Sequence, residues 1–288
     1  MRKVYDCFTF FNELDLLELR LTECYDHADY FVIAESNMSF TGNPKPFNLE
    51  ENWDRFKAFR NKIIYIKVND MPGGTDPWVR EFHQRNALVR GITNADDNDV
   101  ILVTDCDEIL RPRTLDILRN DLTHKFWICR LPAFYYKLNY LMIKPHSYHV
   151  NPLAVIKKDF TDFQSLRNNK IGWANNQSLD FNNDSVCTIQ HSGWHFTYFG
   201  DNDQIDKKLL NFSHTEGQRL VGTYNIEDMI SKKICWDAGV YYEHVTMDEY
   251  FPKTVLNNLE HWKDFIIPNA NTSIRNYVPS LDLNEIYK

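Results

Sequence analysis

The run Val100-Ile101-Leu102-Val103-Thr104-Asp105-Cys106-Asp107-Glu108 ends an apolar stretch abruptly in three carboxylates. Carboxylate oxygens at Asp105 and Asp107, just past a strand, suit one hard divalent cation whose other positions go to water and phosphate oxygens. The strand itself follows from an apolar run preceded by Asp96-Asp97-Asn98-Asp99, the pattern of a central parallel strand. Ligands of open α/β sheets bind beyond the carboxyl ends of such strands. An Asp-rich turn without chemistry has the same local sequence, so other residues must support the reading.

A second cluster, His191-Ser192-Gly193-Trp194-His195-Phe196, lies far downstream. His195 is a candidate third ligand beside Asp105 and Asp107, and imidazole ligation favours Mn²⁺ over Mg²⁺. A hydrogen-bonded core or surface histidine is the plainer alternative. Cys187, His191 and His195 recur every four residues, which would suggest zinc on a helix. The β-branched run and Gly193 argue against that helix. Lys208 and Arg85 are placed to neutralise phosphate oxygens, with a solvated helix face and a surface ion pair as their ordinary readings. Glu35, Asn12 and Glu13 stand at the ends of two early strands, where a nucleotide base and ribose would be recognised, or where a cap or turn would put them.

The elements that must position these residues are legible in the hydrophobic pattern. Val4 to Phe10, Tyr30 to Ala34, Ile63 to Val68 and Val100 to Thr104 read as strands. Asn12 is a plausible cap for a helix with Leu14, Leu17 and Leu21 inward. Asp76-Pro77 opens another helix that Gly91 ends. Alternation of strands and helices predicts an α/β fold with a mostly parallel sheet flanked by helices. After a helix started by Pro112, the runs Phe126 to Leu131, Phe134 to Met142, Leu153 to Ile156 and Val186 to Gln190 predict antiparallel strands. A helix from Asp201 carries Ile205, Leu209 and Phe212, and Pro252 opens one with Val255, Leu256 and Leu259. A single domain over 1–288 is expected, with a change of topology near residue 130.

Composition narrows the partners. The chain has 288 residues, 43% hydrophobic and 25% charged, with a formal net charge of -8, which disfavours a nucleic-acid scaffold. Six dispersed cysteines without a C-x-x-C pair predict reduced thiols. No apolar segment reads as a signal peptide or membrane span, so a soluble, cytoplasm-like setting is expected.

Taken in order, these residues resemble glycosyltransferase family 17, the β-1,4-mannosyl-glycoprotein 4-β-N-acetylglucosaminyltransferases that add the bisecting GlcNAc. The resemblance runs through Asn12-Glu13-Leu14-Asp15-Leu16-Leu17-Glu18-Leu19-Arg20-Leu21, Phe31-Val32-Ile33-Ala34-Glu35-Ser36-Asn37, Phe40-Thr41-Gly42-Asn43-Pro44-Lys45-Pro46, Asp105 to Ile109, and Gly193-Trp194-His195. Lys208-Leu209, Trp236-Asp237 and Pro252-Lys253 continue it. It implies a GT-A-like fold, UDP-GlcNAc as donor, a divalent cation, usually Mn²⁺, at Asp105-Cys106-Asp107, and inversion at the anomeric carbon. Residues to about 130 would then form the nucleotide-sugar half and the remainder the acceptor side. Inversion needs a group that takes the proton of the acceptor hydroxyl opposite the leaving UDP. Asp237 and Glu216 are the candidates, while Glu108 is expected to orient Asp105 or Asp107. Golgi members carry an amino-terminal membrane anchor, whereas this sequence opens on its first strand. The section from about 130 to 190 resembles the family poorly and is where acceptor contacts are expected.

Three other readings remain. A haloacid-dehalogenase-type phosphohydrolase also uses D-x-D after a strand, but the position where it needs Thr holds Ile109. Seven Trp and fifteen Tyr would also suit a non-catalytic glycan-binding module. A transferase of the same fold with a different nucleotide-sugar donor is the third.

Overall fold

The computed structural model describes residues 1–144, 148–174, 185–236 and 239–278. The first half alternates as expected: β1 (Val4–Phe10), α1 (Leu14–Cys24), β2 (Tyr30–Ser36), α2 (Asn48–Glu51), β3 (Ile63–Val68), α3 (Pro77–Ala87) and β4 (Val100–Asp105). A short strand β5 (Glu108–Leu110) and helix α4 (Pro112–Asn120) follow, then β6 (Phe126–Tyr135), β7 (Tyr140–Lys144) and β8 (Tyr148–Ile156). The remainder comprises α5 (Phe163–Ala174), β9 (Val186–Ile189), β10 (Gly193–Thr197), α6 (Asn202–Asn211), α7 (Ile226–Lys232), β11 (Tyr241–His244), α8 (Lys253–Leu256) and α9 (Leu259–Trp262).

One mixed sheet contains all of these strands, with the order β11-β7-β6-β8-β4-β1-β2-β3 and β5, β9 and β10 off that path. Strands β3, β2, β1 and β4 are parallel, so their carboxyl ends share one edge. The apolar runs of β2 and β4 are continuous because both faces are covered, whereas β1 carries buried Asp6 and the outer strand β3 exposes Lys67. Phe8, Ile33, Val100 and Leu102 face α1 and α4, while Cys7, Val32, Ile101 and Val103 pack with Leu88 and Ile92 after α3 and with Phe163 and Leu166 of α5. Each such fully buried aliphatic or aromatic side chain contributes roughly 1.5–3 kcal/mol. A third cluster joins Tyr136, Tyr140 and Tyr242 to Ile205 and Leu209 of α6 and Ile226 and Ile230 of α7.

The caps are mostly where their sequences place them. The Asp76 carboxylate accepts the Trp78 N–H at 2.9 Å with Pro77 opening α3, and Asp201 with Gln204 forms a reciprocal capping box on α6. Four expectations are corrected. Helix α1 is preceded by Glu13, not Asn12, and has no side-chain cap. The runs from Phe126 and Phe134 belong to one strand, which ends at Tyr135 before Tyr136 turns with φ of 62°. Strand β9 is parallel, not antiparallel, to β6. The helix expected after Pro252 breaks into α8 and α9 around Asn257-Asn258, leaving Leu259 46% exposed. All six cysteines are free, and no described helix is long and apolar enough to cross a membrane.

Candidate active site

The acidic turn after β4 is held from below by a residue of α1. Arg20 is fully buried, and its guanidinium donates to the carbonyl oxygens of Asp105 at 2.8 Å and Glu108 at 3.0 Å. It also pairs with buried Asp6 and donates to Thr104 Oγ1 at 2.5 Å. A buried charge is tolerated only when paired and hydrogen-bonded, and here that requirement fixes the turn. Glu108, itself fully buried, accepts the Asp105 N–H at 2.9 Å, so the carboxylate closes the turn on itself.

The far cluster reaches this turn through a strand pairing. Strand β10 runs antiparallel to β5, with Gly193 opposite Leu110, Trp194 opposite Ile109 and His195 opposite Glu108. The Phe196 N–H donates to the Asp107 carbonyl at 2.9 Å. Such close approach needs glycine at 193, where a Cβ would lie 2.0 Å from the Ile109 carbonyl oxygen. As a result His195 Nε2 stands 3.6 Å from Asp107 Oδ1, while Lys208 Nζ of α6 lies 3.0 Å from Asp107 Oδ2. Burial works against a charged Lys208, but Asp107 and then Glu13 more than reverse this and hold the ammonium protonated.

Asp105 turns to the other side. Its carboxylate meets the guanidinium of Arg167 from α5 and lies 3.4 Å from Arg85 of α3. Arg85 is also bonded to Glu81 at 2.7 Å and to Gln164 at 2.6 Å. Arg167 approaches Glu108 at 3.3 Å; burial lowers its proton affinity, but Asp105 and then Glu108 more than reverse this. Helix α3 is anchored to the strand ends by Gln84, which donates to the carbonyls of Ala34 at 2.8 Å and Phe10 at 3.2 Å.

Asp105, Asp107 and the charged groups that face them line a cavity of about 550 Å³ at the carboxyl edge of the parallel strands. Aromatic walls come from Phe10, Phe11, Phe40, Tyr135, Tyr198 and Phe212. The size and the mixture of apolar walls with few charged groups suit a small-molecule site. Cys106 also lines it, but burial pushes its thiol well above its ordinary value and so disfavours the thiolate.

The structure brings together Glu13, Arg85, Asp105, Asp107, Glu108, His195 and Lys208 around this cavity. Asn12 does not line it. Glu35 is fully buried outside it, where its carboxylate accepts from Lys45 at 2.8 Å, the Asn48 and Leu49 N–H groups at 2.5 and 3.0 Å, and the Tyr65 hydroxyl at 2.8 Å. That carboxylate is spent on securing α2 rather than on a nucleotide. Glu216 also stands outside the lining, 2.7 Å from His214, which is inside it. Asp237 lies outside the described residues. Sequence reasoning missed Arg20, Glu81, Arg167 and His214. Arg20 had a signal, a charge on the apolar stripe of Leu16, Leu17, Leu21 and Cys24; Arg167 had none.

The donor set offers a divalent cation two facing ligand atoms. Asp107 Oδ1 and His195 Nε2 are both mostly buried and face each other beyond hydrogen-bond distance, the relation of two neighbouring ligands on one cation. Asp105 faces Arg167 instead. Among the described residues, Asp121, His124 and Cys187 bring three ligand atoms within 4.8 Å of one another, and none of the three lines the cavity. The residues thus fit a cation held by Asp107 and His195, with Asp105 engaged by arginine.

The family model for Glycosyltransferase family 17 matches residues 1–265. The β-1,4-mannosyl-glycoprotein 4-β-N-acetylglucosaminyltransferases of Rattus norvegicus and Homo sapiens are each 32% identical over 116 residues, 38% of this chain. The match spans 22% of the length of either relative. Among solved structures, glucosyl-3-phosphoglycerate synthase from Mycobacterium tuberculosis, in complex with Mn²⁺, UDP and phosphoglyceric acid, has a TM-score of 0.35 at 12% identity, covering 88% of this chain and 91% of that one. The galactosyltransferase LgtC with donor and acceptor sugar analogues gives 0.34 at 14% identity, covering 66% and 73%. The observed sheet, parallel in its first half and mixed in its second, is the α/β arrangement expected from the sequence. With the family match extending over nearly the whole sequence, the chain belongs to glycosyltransferase family 17.

Proposed function

We propose that the protein is a metal-dependent, inverting glycosyltransferase that moves GlcNAc from UDP-GlcNAc to a glycan hydroxyl, forming a β-1,4 linkage to mannose or a related sugar. The observation that carries this reading is the approach of His195 to Asp107 at 3.6 Å on the floor of a cavity large enough for a nucleotide sugar. Charge supports it. Five carboxylates (Glu13, Glu81, Asp105, Asp107, Glu108) and three fixed cations (Arg85, Arg167, Lys208) line the cavity, leaving an excess of negative charge that would repel a diphosphate. A divalent cation removes that excess.

Asp107 and His195 would hold Mn²⁺, or Mg²⁺, and the ion would supply electrostatic stabilisation of the departing diphosphate. Lys208 keeps Asp107 oriented and offers its ammonium to a phosphate oxygen. Arg85 and Arg167 hold Asp105 in place and set the wall on which the transferred sugar rests. Glu108 keeps the turn closed. Glu13 and the aromatic rings of Phe10, Phe11 and Phe40 border the end of the cavity formed by β1 and the β2 loop, where uracil and ribose are expected.

A thermal-shift series with UDP, UDP-GlcNAc, UDP-Glc, UDP-Gal and GDP-mannose, each with Mn²⁺ or EDTA, tests the proposal. Ligand at about a hundred times its dissociation constant adds roughly 2.7 kcal/mol. Selective stabilisation by UDP-GlcNAc with Mn²⁺ supports it. Preference for another sugar replaces the donor, and no response to any nucleotide sinks the reading in favour of a glycan-binding module.

A further inference from the structure

We propose that His214 is the general base that takes the proton of the acceptor hydroxyl, with Glu216 as the residue that positions it. The inference rests on the transferase reading above and goes on to name the group that reading requires. A base must line the cavity and be able to gain a proton. The carboxylates that line it are already committed: Asp105 and Glu108 to Arg167, Glu81 to Arg85, and Asp107 to Lys208. Glu13 accepts the N–H groups of Phe11 and Asn12 at 3.1 and 3.0 Å. Pairing with a cation or with N–H donors favours the charged form and weakens a carboxylate as a base.

His214 lines the same cavity and has the opposite kind of partner. Its Nδ1 lies 2.7 Å from Glu216 Oε1. A backbone hydrogen bond first, and His214 second, hold the Glu216 carboxyl below its usual range, so it stays ionised and accepts. Nδ1 must then carry the hydrogen, and the lone pair is on Nε2. A carboxylate that fixes the tautomer and steadies the imidazolium is the arrangement used by serine hydrolases. The ring is held edge-on to Trp78 at 4.7 Å and lies 5.2 Å from Phe212. Phe212, which lines the cavity, also offers an apolar face to a sugar ring. Lys208 on α6 and His214 just beyond it belong to one continuous segment, which would bring a phosphate-side cation and a base to the same cavity.

The step balances. The acceptor oxygen bonds to the anomeric carbon, and its proton passes to His214 Nε2. The anomeric carbon–oxygen bond breaks, and its electron pair leaves on the nucleoside diphosphate. His214 then releases the proton to solvent.

The experiment measures transfer from UDP-GlcNAc to a bisectable N-glycan, alongside the thermal shift given by UDP with Mn²⁺. His214→Gln is expected to lower kcat by about 10²–10⁴-fold while donor KM and the UDP shift stay unchanged. Added imidazole should restore part of the activity of His214→Ala. Glu216→Gln should lower kcat by about tenfold at unchanged donor KM, and Glu216→Asp should recover most of it. Full kcat in His214→Gln overturns the base and leaves the transferase reading standing. Absence of transfer by the unsubstituted protein overturns that reading and the base with it.

Discussion

Arg20 and Asp105 are joined by a 2.8 Å hydrogen bond from a fully buried guanidinium to a main-chain carbonyl. The acidic turn is thereby tied to the first helix of the chain. Replacing Arg20 with Met leaves Asp6 buried without its cation. The expected loss is about 3–5 kcal/mol of stability, read as a lower urea midpoint. An unchanged midpoint would show that Asp6 and the turn carbonyls find other partners.

Asp105 and Asp107 are predicted to differ in role although they are two residues apart. Asp107→Asn should abolish the Mn²⁺ dependence of UDP binding and lower transfer by at least about 10²-fold. Asp105→Asn should keep the Mn²⁺ response, because Asp105 is engaged by Arg167 and Arg85. Titration of Mn²⁺ against UDP-induced thermal shift separates the two, and equal loss in both variants would return Asp105 to the ligand set.

Gly193 is predicted to tolerate no side chain. With a Cβ 2.0 Å from the Ile109 carbonyl oxygen, Gly193→Ala must push β10 away from β5, at a cost of roughly 1–3 kcal/mol. Because His195 lies two residues on in the same strand, metal-dependent UDP binding should weaken as well. Wild-type melting and wild-type UDP affinity together would show that the pairing has slack.

His191 is predicted to make stability depend on acid pH. Burial first, and the neighbouring Arg111 second, lower its pKa from the ordinary 6.5 to about 4. Between those values the unfolded chain binds a proton that the folded chain refuses, so stability is complete above 6.5 and falls as the pH drops toward 4. His191→Gln should flatten melting temperature against pH in that window. An unchanged slope would assign the acid sensitivity to other groups.

The inner strands of the first half could be read directly because their side chains are buried on both faces, which forces continuous apolar runs at β2 and β4. The caps at Asp76 and Asp201 were legible for a similarly local reason: a short polar side chain meets N–H groups two or three residues away. Glu35 misled because a carboxylate at a strand end looks the same in sequence whether it faces a ligand or, as here, closes on Lys45, Tyr65 and the start of α2. The misplaced break in β6 has a related origin, since an aromatic-rich run carries no clear period, whereas after Pro252 the helix suggested by Val255, Leu256 and Leu259 is interrupted at Asn257-Asn258.

The sequence by itself determined the α/β class, the shared carboxyl edge of the parallel strands, and the residue types at Asp105, Asp107, His195, Lys208 and Arg85 that line the cavity there. Tertiary structure alone decided which of them meet. The β5–β10 register put His195 beside Asp107, Arg167 took Asp105, and Arg20 fastened the turn through the core. Local residue types set what a side chain can bind, but pairings across 88 residues, such as Glu108 with Arg20, follow from how sheets and helices pack, and no short-range pattern records them.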